Sequence, residues 1–146
     1  MAQNTFSTGA QPSRHLSVRL QTELHERLSR RAQSSGGETR SRLAARLIDE
    51  GLRMDAHPSI VFRPGPGGRR PGLAGGPDVW EIARVLRDVE LAGEEAIEKT
   101  ATLTGLAVHG VRAVAAYYRD YKDEVEAWIA EVDRDAEEVY SPDSLR

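Results

Sequence analysis

Residues 15–21 alternate polar and apolar side chains, and this pattern predicts a β-strand with two different faces. A strand followed by two short helices, within about 40 residues, is too small to bury its own apolar face. Two copies that paired through the strand would cover that face, so the pattern favours a dimer. The apolar face would consist of Leu16, Val18 and Leu20. The polar face would consist of His15, Ser17 and Arg19.

Two amphipathic helices are predicted after the strand. The first covers residues 22–34, begins at Thr22 as its N-cap, and ends at a pair of glycines, because glycine adopts the left-handed backbone that helix ends need. The second starts near Thr39, fades around Met54 and stops before Pro58. Their apolar stripes are Leu24, Leu28 and Ala32 in the first helix and Leu43, Leu47, Ile48 and Leu52 in the second.

The segment 64–77 contains ten glycines and prolines. This composition is typical of a linker, but the strand formers Ile60, Val61 and Phe62 favour a hairpin over residues 60–73. Four further helices are predicted, starting at Asp78, at Gly93, after the turn Thr104-Gly105-Leu106, and at Lys122. The expected fold class is therefore mainly α with a short N-terminal strand. We divide the chain into a disordered tail over 1–13, a domain over 14–56, a helical domain over 57–140 and a tail over 141–146.

Charge divides the chain into a basic and an acidic half. Residues 1–70 carry 12 arginines and six acidic residues, for a net charge of +6, whereas residues 71–146 carry eight basic and 17 acidic residues, for −9. The basic half favours a polyanionic partner, and the acidic half favours a basic or neutral one. No apolar run approaches the roughly 20 residues that span a bilayer. We expect a cytoplasmic, nucleoid-associated protein that does not bind membranes.

No pattern in the chain indicates catalysis. The four histidines are spread along the sequence without a metal-ligand spacing, and there is no cysteine to supply a thiolate. The glycine-rich stretch lacks the Gly-Lys-Ser/Thr that completes a phosphate-binding loop. We therefore expect neither an enzyme nor a bound cofactor or metal.

Residues 14–53 resemble the ribbon–helix–helix family of bacterial repressors, through the alternating strand, the two apolar stripes and the hydroxyl-rich start of the second helix. The resemblance implies that two chains pair their strands antiparallel and insert the ribbon into the major groove of DNA. The implied base-reading residues are His15, Ser17 and Arg19. The implied phosphate-binding residues are Thr39, Arg40, Ser41 and Arg42. The implied dimer core is Leu16, Val18, Leu20, Leu28, Leu43, Leu47 and Ile48. An arginine that binds guanine through two hydrogen bonds contributes about 1–3 kcal/mol of discrimination.

The spacing Ala101-x3-Gly105-x5-Val111 is typical of a helix-turn-helix, in which a small residue, a turn glycine and a β-branched residue let two helices cross. The helix after the turn offers few hydrogen-bond donors besides Arg112, so we expect it to contact protein rather than DNA. Residues 57–130 resemble a small winged-helix or homeodomain-like domain found in VapB-type antitoxins, through the segments 68–82, 117–121 and 124–128. Here Gly75-Gly76-Pro77-Asp78 replaces the Gly-Thr-Arg-like tail of that domain.

These resemblances imply a dimeric transcription repressor that is also the antitoxin of a toxin–antitoxin operon. The N-terminal domain would bind the operator, and the acidic C-terminal domain would neutralise a PIN-type or other ribonuclease. The expected toxin-binding residues are Trp80, Tyr118, Tyr121, Glu124 and Trp128. Two alternatives stay open: a stand-alone regulator or segregation protein whose C-terminal domain oligomerises, and a repressor whose C-terminal aromatic residues sense a ligand.

Overall fold

The structure, a computed structural model of the chain, describes residues 12–65 and 67–139. Within these ranges the fold is mainly helical, with one two-stranded antiparallel sheet. The elements are α1 (Thr22–Ser34), α2 (Arg40–Ala56), β1 (Ile60–Gly65), β2 (Gly68–Leu73), α3 (Val79–Asp88), α4 (Gly93–Thr104), α5 (Val108–Asp120) and α6 (Lys122–Val139). The predicted tail over 141–146 and most of the tail over 1–13 lie outside the described residues.

Backbone contacts divide the chain into two compact units, Met1–Ala44 and Ala45–Arg146. The division falls inside α2, whereas the boundary predicted from the sequence lies at the end of this helix, at residue 56. The second half of α2 therefore belongs to the same unit as the hairpin and the four C-terminal helices.

In the first unit, α1 covers the predicted residues 22–34. Its N-cap is Gln21 and not the predicted Thr22, because the Gln21 carbonyl accepts the first helical hydrogen bond, from the His25 N–H at 3.0 Å. The glycines predicted to end α1 have positive φ angles, 68° at Gly36 and 97° at Gly37. Only glycine adopts such angles without strain, so the glycine pair separates α1 from α2 as expected.

The strand predicted over residues 15–21 is not present in this single chain, because residues 12–21 contain no strand. A strand needs a neighbour with which to exchange ladder hydrogen bonds. In the described part of the chain the only sheet pairs β1 with β2, so this segment has no such neighbour. The single chain thus has its sheet at residues 60–73, and a ribbon formed by two chains stays a prediction.

α2 begins directly after Thr39, as predicted. The Thr39 hydroxyl oxygen accepts a hydrogen bond from the Arg42 N–H at 3.2 Å and so caps the helix. α2 continues to Ala56, slightly beyond the predicted end at Met54, and the backbone N–H of His57 still donates to the Arg53 carbonyl at 2.8 Å.

β1 and β2 form the hairpin predicted over residues 60–73, with Ile60 opposite Leu73. Arg63 on β1 crosses the hairpin towards the start of α3. Its Nη2 donates to the Gly76 carbonyl at 2.6 Å and to Asp78 Oδ1 at 3.0 Å. This path requires glycine at position 72, where a Cβ would lie 2.3 Å from Arg63 Nη2.

The hairpin and helices α3 to α6 surround one hydrophobic core. Helix α3 lies at its centre and contacts β2, α4, α5 and α6. It begins after Asp78 as predicted, and the Asp78 N–H donates to the Glu81 carboxylate at 3.2 Å, as in a capping box. The buried members of the core are Ile60, Leu73, Val79, Ile82, Ala83, Ala101, Val111, Val114, Tyr117, Val125 and Ile129.

The turn between α4 and α5 has the properties that its spacing predicts. Gly105 adopts a left-handed backbone with φ of 71°, and both Ala101 and Val111 are buried. Helices α4 and α5 pack against each other across this turn. Among the described residues, no helix combines the length and the apolar character that crossing a membrane requires.

Candidate functional site

The three predicted base-reading residues lie on an exposed segment that precedes α1. His15, Ser17 and Arg19 are all exposed. His15 Nε2 lies 2.8 Å from Ser17 Oγ, which places these two side chains on the same side of the backbone. Residues two apart share a side in an extended chain, so this contact agrees with the alternation in the sequence.

The apolar side chains of the same segment are also exposed. The exposed fraction is 75% for Leu16, 62% for Val18 and 37% for Leu20. A single exposed leucine is ordinary in a folded protein, but three at alternate positions form an apolar strip. This strip therefore lacks cover in the single chain.

The predicted phosphate-binding residues surround the N-terminus of α2. Thr39, Arg40, Ser41 and Arg42 are exposed. Arg40 Nη1 lies 3.2 Å from His25 Nε2 and 3.5 Å from Ser29 Oγ on α1. The Thr39 oxygen accepts the capping hydrogen bond, and its O–H can still donate.

The other predicted dimer-core residues fall into two groups. Leu43 is fully buried and Leu28 is half-buried within the single chain. Leu47 and Ile48 are exposed, with 42% and 51% of their surface accessible, and Leu52 follows them one turn later with 66%. α2 therefore presents an uncovered apolar stripe over its middle turns.

In the second unit, two of the predicted toxin-binding residues are held by Arg53 of α2. Arg53 Nη1 donates to Glu124 Oε2 at 2.5 Å and to the Tyr117 hydroxyl at 3.0 Å. The guanidinium carbon lies 4.1 Å from the centroid of the Tyr121 ring, which is within cation–π distance. On its other side, Arg53 pairs with Asp49 at 3.0 Å. Tyr121 and Glu124 are thus already engaged inside the unit.

This environment shifts the acid–base properties of the cluster. Burial lowers the pKa of Arg53, but the hydrogen bonds to Glu124 and Tyr117 outweigh burial, so the pKa of the guanidinium is raised. Burial also raises the pKa of Tyr117 to about 12, although the hydrogen bond from Arg53 opposes this shift. Arg53 is therefore charged and Tyr117 neutral at any physiological pH.

An ion pair and a histidine–carboxylate contact attach the end of α2 to the rest of the unit. Glu50 is only 4% exposed, and both of its carboxylate oxygens accept from Arg69 Nε, at 2.7 and 2.8 Å. His57 Nε2 lies 3.2 Å from Asp120 Oδ2. The pKa of Asp120 is lowered, chiefly by the hydrogen bond from Arg119 and further by His57.

The remaining predicted toxin-binding residues are half-buried. Trp80, Tyr118 and Trp128 pack against the edge of the core. The Tyr118 hydroxyl donates to Glu126, and burial together with this bond raises the pKa of Tyr118 to about 12. The Trp80 Nε1 is buried without a hydrogen-bond partner. Which of these side chains binds a toxin stays a prediction.

Most of the acidic side chains near the core are neutralised within the unit. The pairs along α6 are Arg53–Glu124, Arg87–Glu126, Arg70–Glu131 and Arg84–Asp133. Arg112, in the first turns of the helix after the turn, pairs with Glu94 of α4. These carboxylates are therefore engaged within the unit, while the net charge of residues 45–146, which already counts the arginines, stays negative. In the described ranges no group of three or more His, Asp or Glu side chains could hold a metal ion.

Comparison with protein-family models, with curated proteins and with solved structures found no match to this chain.

No pattern in the sequence indicates the cluster around Arg53. Arg53 lies 64 positions from Tyr117 and 71 from Glu124, and no local pattern links residues so far apart. One signal was available: Arg53 follows the apolar stripe of α2, just before the helix ends, where a cation stabilises the helix dipole. That signal accounts for a basic residue there but does not identify its partners.

Proposed function

We propose that this protein is a DNA-binding transcription repressor that acts as a dimer paired through residues 15–21. The observation that carries the proposal is the uncovered apolar strip Leu16, Val18 and Leu20, whose side chains alternate with polar ones. Burying apolar surface stabilises by about 25 cal/mol per Å², so an exposed strip of this kind favours association. A second copy offers the same strip and the same unpaired backbone groups.

Charge supports DNA as the partner of the paired strands. The first 44 residues contain seven arginines and three glutamates, for a net charge of +4, and residues 45–146 contain 13 basic and 20 acidic residues, for −7. Paired antiparallel strands fit the major groove, and they would present His15, Ser17 and Arg19 to the base edges. The amides and hydroxyls at the start of α2 would bind a phosphate.

The second part of the proposal concerns the unit 45–146, which we propose neutralises a ribonuclease toxin encoded beside this chain. Its net charge and its resemblance to an antitoxin domain support this role. Co-expression with the neighbouring gene tests it: we expect a stable complex and loss of the neighbour's toxicity. A non-toxic neighbour that does not copurify would favour a stand-alone regulator instead.

DNA binding is tested with Arg19→Ala and Arg14→Ala, which remove the same charge five residues apart. Duplexes selected from a random pool by the full chain provide the specific site. Arg19→Ala should lose most of the preference for the selected site over random DNA, whereas Arg14→Ala should weaken both equally. If the full chain selects no sequence, or if Arg19→Ala retains the preference, the proposed reading of the major groove is wrong.

The dimer is tested separately, by light scattering of Val18→Asp. A buried charge in the strip should leave a monomer, while Ser17→Ala on the opposite face should leave the dimer unchanged. A Val18→Asp protein that is still dimeric would place the interface elsewhere.

A further inference from the structure

The side chains around Arg53 have the composition of an arginine-binding site. Glu124 supplies a carboxylate, Tyr117 a phenol oxygen and Tyr121 an aromatic face, and these groups contact one guanidinium at 2.5, 3.0 and 4.1 Å. Arginine is recognised in this way, by charge-assisted hydrogen bonds to its planar edge and by a ring under its face. Lysine lacks both the planar edge and the delocalised face.

The site is built by α5 and α6 and the residue between them, without α2. Tyr117 is fully buried in the core, and its ring lies 4.6 Å from that of Tyr121, at 34°. Glu124 lies in the first turn of α6 and keeps 39% of its side chain exposed. The aromatic floor is therefore fixed by the core, and the carboxylate can be reached from solvent.

Arg53 reaches this site from the last turn of α2, which ends three residues later at Ala56. The end of α2 is itself attached to the unit, through Glu50–Arg69 and His57–Asp120. The guanidinium can leave the site by rotation of its own long side chain towards Asp49, whose side chain is 59% exposed. An incoming arginine would meet the same three partners.

We propose that Tyr117, Tyr121 and Glu124 form a binding site for an arginine of a basic protein partner, and that Arg53 occupies it as an internal competitor in the free chain. This inference rests on the proposed role of the unit in binding a toxin, and it defines the chemistry of that contact. The partner presents an arginine side chain, and its binding displaces the Arg53 guanidinium from the three groups.

The test compares Arg53→Gln with Arg134→Gln in the full chain. Both variants lose one positive charge, but Arg134 lies near the exposed end of α6, where its Nε donates to the Ala130 carbonyl of its own helix. The probes are a short arginine–glycine peptide and its lysine counterpart, and affinity is measured by titration calorimetry. Circular dichroism verifies that each variant is folded.

We expect Arg53→Gln to bind the arginine peptide about tenfold more tightly than the natural chain does, a factor that one charge-assisted hydrogen bond typically supplies. Arg134→Gln should show no such gain, and the lysine peptide should distinguish the variants little. Adding Glu124→Gln to Arg53→Gln should remove the gain. An equal gain in Arg134→Gln, or with the lysine peptide, would reduce the effect to net charge and overturn the proposal.

If Arg53→Gln does not fold, Arg53→Lys keeps the charge and weakens only the internal competitor. It should then gain affinity for the arginine peptide over the natural chain, and no gain would contradict the proposal. These titrations contain neither DNA nor the product of the neighbouring gene. A neighbour that is not toxic and does not copurify would therefore remove the proposed toxin neutralisation, whereas absence of the gain in Arg53→Gln would remove only the arginine site.

Discussion

Substitution of Gly72 by alanine tests whether Arg63 fastens the hairpin to α3. A Cβ at position 72 would lie 2.3 Å from Arg63 Nη2, 2.5 Å from Cζ and 2.9 Å from Nε. These distances are shorter than any real Cβ contact, so the guanidinium must move. It would then lose its hydrogen bonds to the Gly76 carbonyl at 2.6 Å and to Asp78 at 3.0 and 3.2 Å.

The expected cost follows from those contacts. Hydrogen bonds to charged groups contribute about 1.5–3 kcal/mol each to the free energy of unfolding, and less where water screens them. About one third of the Arg63 side chain is exposed, with 35% accessible, so we discount the sum of these bonds. Gly72→Ala should then lower the free energy of unfolding by about 2 kcal/mol, after the small gain from a stiffer unfolded chain. Urea denaturation followed by circular dichroism measures this change.

The double variant isolates the physical reason. In Arg63→Ala the guanidinium is absent, so the added methyl group of Gly72→Ala occupies the space that it left. The two substitutions should therefore not be additive: Gly72→Ala should cost less than about 0.5 kcal/mol in the Arg63→Ala background, which is the usual limit of additivity for independent sites. If Gly72→Ala costs the same in both backgrounds, the reasoning is refuted, and the glycine is needed for another reason.

Two further predictions concern Tyr117 and Gly105. The pKa of Tyr117 in the folded chain is about 12, above its ordinary value of 10.0. The neutral phenol therefore stabilises the fold fully below pH 10, and this stabilisation is lost as the pH rises through 12. Tyr117→Phe should show a smaller alkaline loss than the natural chain over that interval, measured by denaturation at each pH, and an unchanged loss would contradict the shift. At Gly105, where φ is 71°, substitution by alanine should lower the free energy of unfolding by about 1–2 kcal/mol. The control is Ala107→Gly, which changes the same turn at a position whose backbone is not left-handed. A neutral Gly105→Ala would show that the turn relaxes freely.

Local patterns in the sequence predicted the helices and the hairpin well. The periodicity of residues 22–34 gave the limits of α1, and the capping residue Asp78 gave the start of α3. The strand formers at positions 60–62 outweighed the many glycines and prolines that follow them. In each of these cases the determinants lie within a few residues of the element itself, so neighbouring side chains are sufficient to specify it.

The predicted N-terminal strand differs from these elements, because no strand forms at residues 15–21 in the described part of the single chain. Alternation at residues 15–21 specifies which side chains share a face, and the contact between His15 and Ser17 agrees with that. Alternation does not specify a pairing partner, and in the described part of the single chain this segment forms no strand ladder. The pattern therefore specifies two faces of the segment, and the pairing of two copies stays a prediction.

The boundary between the two units lies inside α2, and ion pairs between residues far apart in the sequence determine its position. His57 and Pro58 stop the helix, so a domain boundary predicted from the sequence falls there. However, Glu50 and Arg53 bind Arg69 and Glu124, so the second half of α2 belongs to the C-terminal unit before the helix is complete. Leu47 and Ile48, on the same half of α2, keep their apolar side chains exposed. One half-helix therefore carries two different surfaces, one fixed by ion pairs within its own unit and one left uncovered in the single chain. A partner arginine that displaced Arg53 would act on the first surface and would alter the support of the second.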